Sequence, residues 1–145
     1  MSFLDRLRQV GEPTFDKQRA VMTIVTAAIL ADGEVSDDEV RRLRGMCALS
    51  PIFSHNSGDQ DTEVIKFAVS VNGQSGERAL GMAAASLSQT LRQTAFAFSC
   101  DMLLADGVVN EGEKQFIAGL AKALGIDEAT ADAVILTTLI RNYTA

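Results

Sequence analysis

The feature that most constrains this chain is a self-similarity at an offset of 74 residues, which carries Asp32 onto Asp106. Residues 29–39, ILADGEVSDDE, align with residues 103–113, LLADGVVNEGE. An apolar stretch precedes each string and an amphipathic one follows, with Leu43 and Met46 matching Ile117 and Leu120. Each half therefore reads as helix, acidic loop, helix. One such hairpin has too little neighbouring surface to shield its own apolar faces. Two are expected to bury each other about a pseudo-twofold axis.

The rest of the chain carries the helical period. Prolines occur only at Pro13 and Pro51, both between helical patterns. Helices are expected over 15–31, where apolar residues are nearly continuous after Arg19 as in a helix buried on most sides, over 37–49, where they recur three and four apart, and over 59–71, 111–124 and 128–143. Asn72 and Gly73 read as a stop, and 76–105 as an alanine-rich stretch broken near Gln89 and Thr90. At the start, Phe3, Leu4, Leu7 and Val10 share one face of an amphipathic helix, which packs on its own domain or lies on a membrane surface. The expectation is an all-α fold of about seven helices. Its 145 residues form a single domain, residues 1–145, with a first half at 14–73 and a second at 76–143. That length can bury a core without a disulfide or metal staple.

Composition removes several classes of function. With 19 acids against 13 bases the net charge is -6, which leaves no basic surplus to displace phosphate counterions, so a nucleic-acid partner is not expected. Two cysteines, Cys47 and Cys100, and one histidine, His55, cannot supply a zinc or iron–sulfur site. Both cysteines sit in apolar stretches and read as buried free thiols; His55 reads as an exposed loop residue. No glycine loop of phosphate-binding spacing and no nucleophile constellation is present, so no enzyme activity is expected. Asp5, Arg6 and Arg8 occupy the stretch where a signal peptide carries its apolar core, and the longest apolar run, 21–31, is too short for a transmembrane segment. The reading is cytoplasmic.

The repeated motif has two physical readings. Gly33 and Gly107 suit a left-handed residue after a helix. Ser36 with Glu39, and Asn110 with Glu113, have the spacing of a capping box. Asp32 and Asp106 fit this reading less well. Each is read as lying at the C-terminal end of a helix, where the dipole disfavours a carboxylate and calls for a basic side chain or a cation. The second reading is cation binding. Asp, Gly, an apolar residue, Ser or Asn, and Glu follow one another as in the second half of an EF-hand loop. The first half is missing, since Ala28 and Leu30, and then Met102 and Leu104, stand where oxygen ligands belong. A standard EF-hand is excluded. Two loops brought together would still offer Asp32, Glu39, Asp106 and Glu113 to Ca²⁺, Mg²⁺ or Mn²⁺; no organic cofactor is implied.

These strings, with the MSF start, the DTEVIKF segment at 61–67 and the continuation of the second motif to LGID at 124–127, resemble the TerB tellurite-resistance proteins over residues 1–127. The resemblance implies an all-helical domain with internal pseudosymmetry and a role in a bacterial stress-response system linked to tellurite resistance. It implies a protein partner, a membrane protein of that system among the candidates, and a location in the cytoplasm or at the inner membrane face. It also implies a metal-binding acidic cluster, to which Asp32, Glu39, Asp106 and Glu113 correspond. Two functions follow: a divalent-cation module built on the two loops, or a metal-independent adaptor with an acidic docking face beside Arg41, Arg42 and Arg44. The helix from residue 128 onward lies outside the resemblance.

Overall fold

The computed structural model describes residues 14–31 and 35–144. Six helices and no strand occur among them: α1 (Lys17–Leu30), α2 (Asp37–Leu49), α3 (Gly58–Ala85), α4 (Gln89–Leu103), α5 (Glu111–Ala123) and α6 (Glu128–Arg141). The all-α expectation holds. The amphipathic segment with Phe3, Leu4, Leu7 and Val10 lies outside the described residues.

All six helices start on a side-chain cap, which explains why they begin where they do. Asp16, Ser36, Ser57, Ser88, Asn110 and Asp127 each accept the backbone N–H three residues on. At Ser36–Glu39 and Ser57–Gln60 the box is complete in both directions, so two of the four orphan donors of each helix are satisfied.

α1 is the central helix. Its only charges are Lys17 and Arg19 in the first turn, and Ala20, Val21, Met22, Ile24, Val25 and Ala28 are fully buried. It packs chiefly on α3 and α4. The Arg19 guanidinium stands 4.6 Å from the centre of the Phe67 ring, and Phe15 meets the same ring edge-on at 5.7 Å. Farther along, Asn72 Nδ2 donates to Thr23 O and to Ala68 O, both at 3.0 Å, binding α3 to α1.

Two expectations about α3 and its end are corrected. Asn72 and Gly73 do not stop the helix. It runs on to Ala85 with a kink at Ser75 (φ -160°, ψ 64°). Asn72 is held on both helices, so a glycine-flanked irregularity bends the helix where a stop would have ended it. The break before α4 falls at 86–88, ahead of Gln89, because Ser88 caps α4 by accepting from Leu91 N. The connection between α2 and α3 is ordered from within: Phe53 is buried, and Gln18 Nε2 donates to Ile52 O at 3.0 Å. Asn56 Nδ2 then links Gln18 Oε1 to Asp61 Oδ1. His55 is exposed. No helix of the described residues is long and apolar enough to cross a membrane.

Candidate functional site: the acidic loops

Of the four carboxylates singled out by the motif, Asp32 lies outside the described residues, as do Gly33 and Glu34. The other three have structural partners. Glu39 Oε1 accepts from Ser36 N at 3.0 Å while Ser36 Oγ accepts from Glu39 N at 3.2 Å. Glu113 differs in detail. Asn110 Oδ1 accepts from Glu113 N at 2.8 Å, and Glu113 Oε1 accepts from the Asn110 side-chain amide, also at 2.8 Å. An asparagine cap has its own amide donor to offer, so the glutamate turns to the side chain where its counterpart takes the backbone.

Asp106 is placed differently from expectation. α4 ends at Leu103, so Asp106 lies in the following turn, clear of the helix end. Its Oδ1 accepts from Val108 N at 3.0 Å. That is an Asx turn, in which an aspartate carboxylate supplies the acceptor that a carbonyl supplies in a backbone turn. It gives the motif aspartate a local reason that spacing alone did not show. Gly107 follows at φ +76°, the left-handed conformation expected of it. A Cβ there would come within 2.6 Å of Asn142 O. The second loop is thus pressed against the end of α6.

Asp106 and Glu113 line one cleft of about 540 Å³, with Met102, Leu103 and Ala105. The remaining wall is Arg42 of α2, from the first half of the chain. A basic side chain is thus part of the wall beside the second loop, although Asp106 itself lies past the helix end. Its identity was not legible, because the contact joins residues far apart in the chain. Arg41 makes an exposed ion pair with Asp38 at 3.5 Å, and Arg44 Nη2 donates to Thr62 Oγ1 at 2.6 Å.

Does this donor set suit a cation? Ca²⁺ takes roughly six to eight oxygens, and a guanidinium in the wall opposes a positive ion. Among the described residues no three His, Cys, Asp or Glu side chains converge to hold a metal ion. Asp106 and Glu113, two of the four proposed ligands, are brought together; Glu39 does not complete a cluster with them.

The thiols offer no chemistry. Cys47 and Cys100 are fully buried and free, and burial pushes both up to about 12. Asp61 near Cys47 and Asp101 near Cys100 add to that rise. A thiol at that value is protonated and inert at neutral pH.

Fold and site together define an all-helical domain whose repeated motif caps helices and shapes a turn, with Arg42, Asp106 and Glu113 lining one cleft. A family model described as Tellurite resistance protein TerB matches residues 18–135, and the chain belongs to that family. No curated protein and no solved structure matches it. The matched span takes in both loops and stops within α6.

Proposed function

We propose that this TerB domain works by binding a protein partner and not by catalysis, as a metal-independent adaptor in a tellurite-resistance and stress-response system. Its docking face is the acidic one, carried by Asp37, Asp38 and Glu39 at the start of α2 and by the second acidic loop. One observation carries the reading: Arg42 lines the cleft that Asp106 and Glu113 line, so the wall of the cleft that the cation reading fills with an ion already carries a positive charge. The carboxylates are then structural within the domain and electrostatic toward its partner. A cytoplasmic location, at the inner membrane face beside a membrane protein of the system, fits the family. The duplicated, pseudo-twofold arrangement fits α1 packing on α4, each followed by a loop and a capped helix.

The competing reading places Ca²⁺, Mg²⁺ or Mn²⁺ on Asp32, Glu39, Asp106 and Glu113. It is supported by Asp106 and Glu113 sharing one cleft. Thermal melting of chelator-stripped protein with each ion separates the two. A ligand at a hundred times its dissociation constant adds about 2.7 kcal/mol, which for a chain of this size is a shift of about 8 °C. The adaptor reading expects no saturable shift in the wild type. It also expects Arg42→Gln to acquire one, because removing the guanidinium leaves two carboxylates facing an empty wall. A shift in the wild type, lost in Asp106→Asn with Glu113→Gln, establishes the cation module instead.

A further inference from the structure

Adjoining the cleft of Asp106 and Glu113, between α2 and α4, lies a larger groove of about 690 Å³ that shares Arg42, Met102 and Ala105 with it. Its floor is apolar: Met46 of α2 faces Phe98 and Met102 of α4. Its rim is basic. Arg41 and Arg42 stand along α2, and Arg141 stands at the end of α6. Among the described residues Asp101 is the one acid lining it, so in a chain of net charge -6 the described lining carries two positive charges in excess. Asp101 is itself engaged, accepting from Arg141 Nη1 at 3.3 Å. Leu49 completes the rim at 88% exposure, the highest of the large exposed apolar side chains described. Gly45 leaves one wall without a side chain, and a Cβ there would meet nothing within 4 Å.

We infer that this groove is the docking site for an acidic amphipathic helix of a partner protein. The inference rests on the reading of the domain as an adaptor and gives it a second docking site, of opposite charge to the acidic face. An apolar floor open along α2, with methionines that repack around different side chains, suits residues spaced three and four apart on a visiting helix. The bare wall at Gly45 lets that helix approach closely. Arginines on both sides of the floor select glutamate or aspartate flanks and reject basic ones. The pair between Arg41 and Asp38 is exposed on both sides and worth little, so the guanidinium exchanges it for an incoming carboxylate.

The test uses a designed helical peptide of about 18 residues, long enough to form a helix, with a leucine face and glutamates on both flanks. A matched peptide carries lysines in their place. Binding to the full chain is followed by fluorescence anisotropy, and its location by amide chemical shifts. The glutamate peptide is expected to bind and the lysine peptide not, with shifts at Gly45, Leu49, Met102 and Asn142. Arg41→Gln with Arg141→Gln should weaken it about tenfold, the sum of two rim charges. Gly45→Phe, whose Cβ has open space around it and whose ring would occupy the groove, should abolish it. Equal binding of both peptides, or shifts on another face, overturns the groove assignment while leaving the adaptor reading intact. No peptide binding together with a cation-dependent melt overturns both. Groove shifts produced by phosphatidylglycerol vesicles and not by the peptide overturn the inference in favour of a lipid surface.

Discussion

Gly107 and Gly125 both take a positive φ, at 76° and 68°, but their surroundings differ, and that difference makes a quantitative test. Gly125 is the residue after the α5 cap in a Schellman turn: Ile126 N donates to Ala121 O at 2.9 Å and Gly125 N to Lys122 O at 3.1 Å. The nearest atom to a Cβ there is Arg92 Nη1, at 3.9 Å. Gly125→Ala therefore carries the left-handed penalty alone, about 1–2 kcal/mol. At Gly107 the same penalty applies, and a Cβ also lands 2.6 Å from Asn142 O, a backbone atom that cannot rotate away. The loop or the end of α6 has to move, and the total cost rises to about 2–4 kcal/mol. At about 2.1 cal/mol/K of unfolding entropy per residue, 145 residues convert each kcal/mol into about 3 °C of Tm. Gly125→Ala should thus lower Tm by about 3–7 °C and Gly107→Ala by about 7–13 °C, measured by calorimetry on the two variants side by side. Equal losses, or a smaller loss at Gly107, would refute the claim that the motif glycine is fixed by contact with α6 as well as by its φ.

Other outcomes follow from single contacts. Ser36→Ala removes a complete capping box and should cost about 1 kcal/mol in urea denaturation, with or without divalent ions; Asn110→Ala should cost at least as much, since it strips a side-chain donor from Glu113 as well. Unchanged midpoints would show that the motif's Ser and Asn are not caps in solution. Cys47 and Cys100, held at about 12 by burial, should not react with a thiol reagent at pH 8 until the protein unfolds globally, so labelling rates should track the denaturation curve. Fast labelling of either one in the native state would contradict its burial. Asp101 is held above the usual carboxylate range, chiefly by desolvation and against the opposing pull of Arg141. Because the folded state binds that proton more tightly than the unfolded chain, its contribution is fully present below about pH 4 and is lost as pH rises through the raised value. Asp101→Asn should therefore gain on the wild type between pH 3.5 and 7; a constant gap across that range would mean that Asp101 does not titrate abnormally.

What the sequence makes legible here is local, and what it hides is the set of contacts between distant segments. Ser36, Ser57, Asn110 and their partners three residues on are short-range hydrogen-bonding units, and each does in the structure what its spacing specifies. The bend at Ser75 was misread because Asn72 and Gly73 carry a real local preference to end a helix, which the Asn72 bonds to Thr23 O and Ala68 O override. Asp106 was misread for a related reason: a helix-end position was assumed, and with α4 ending at Leu103 the carboxylate is free to close an Asx turn onto Val108. Arg42 looked like one charge in a solvated run of arginines. Only the packing of α2 beside α4 brings it into the lining of two clefts, one with Asp106 and Glu113 and the other with Met46, Phe98 and Met102. Arg42 lines both clefts, so a carboxylate in the groove is expected to draw its guanidinium away from the wall it shares with Asp106 and Glu113. Occupancy of the groove should then loosen the second loop, and Val108, which donates to Asp106, is the amide where faster hydrogen exchange on peptide binding would show it.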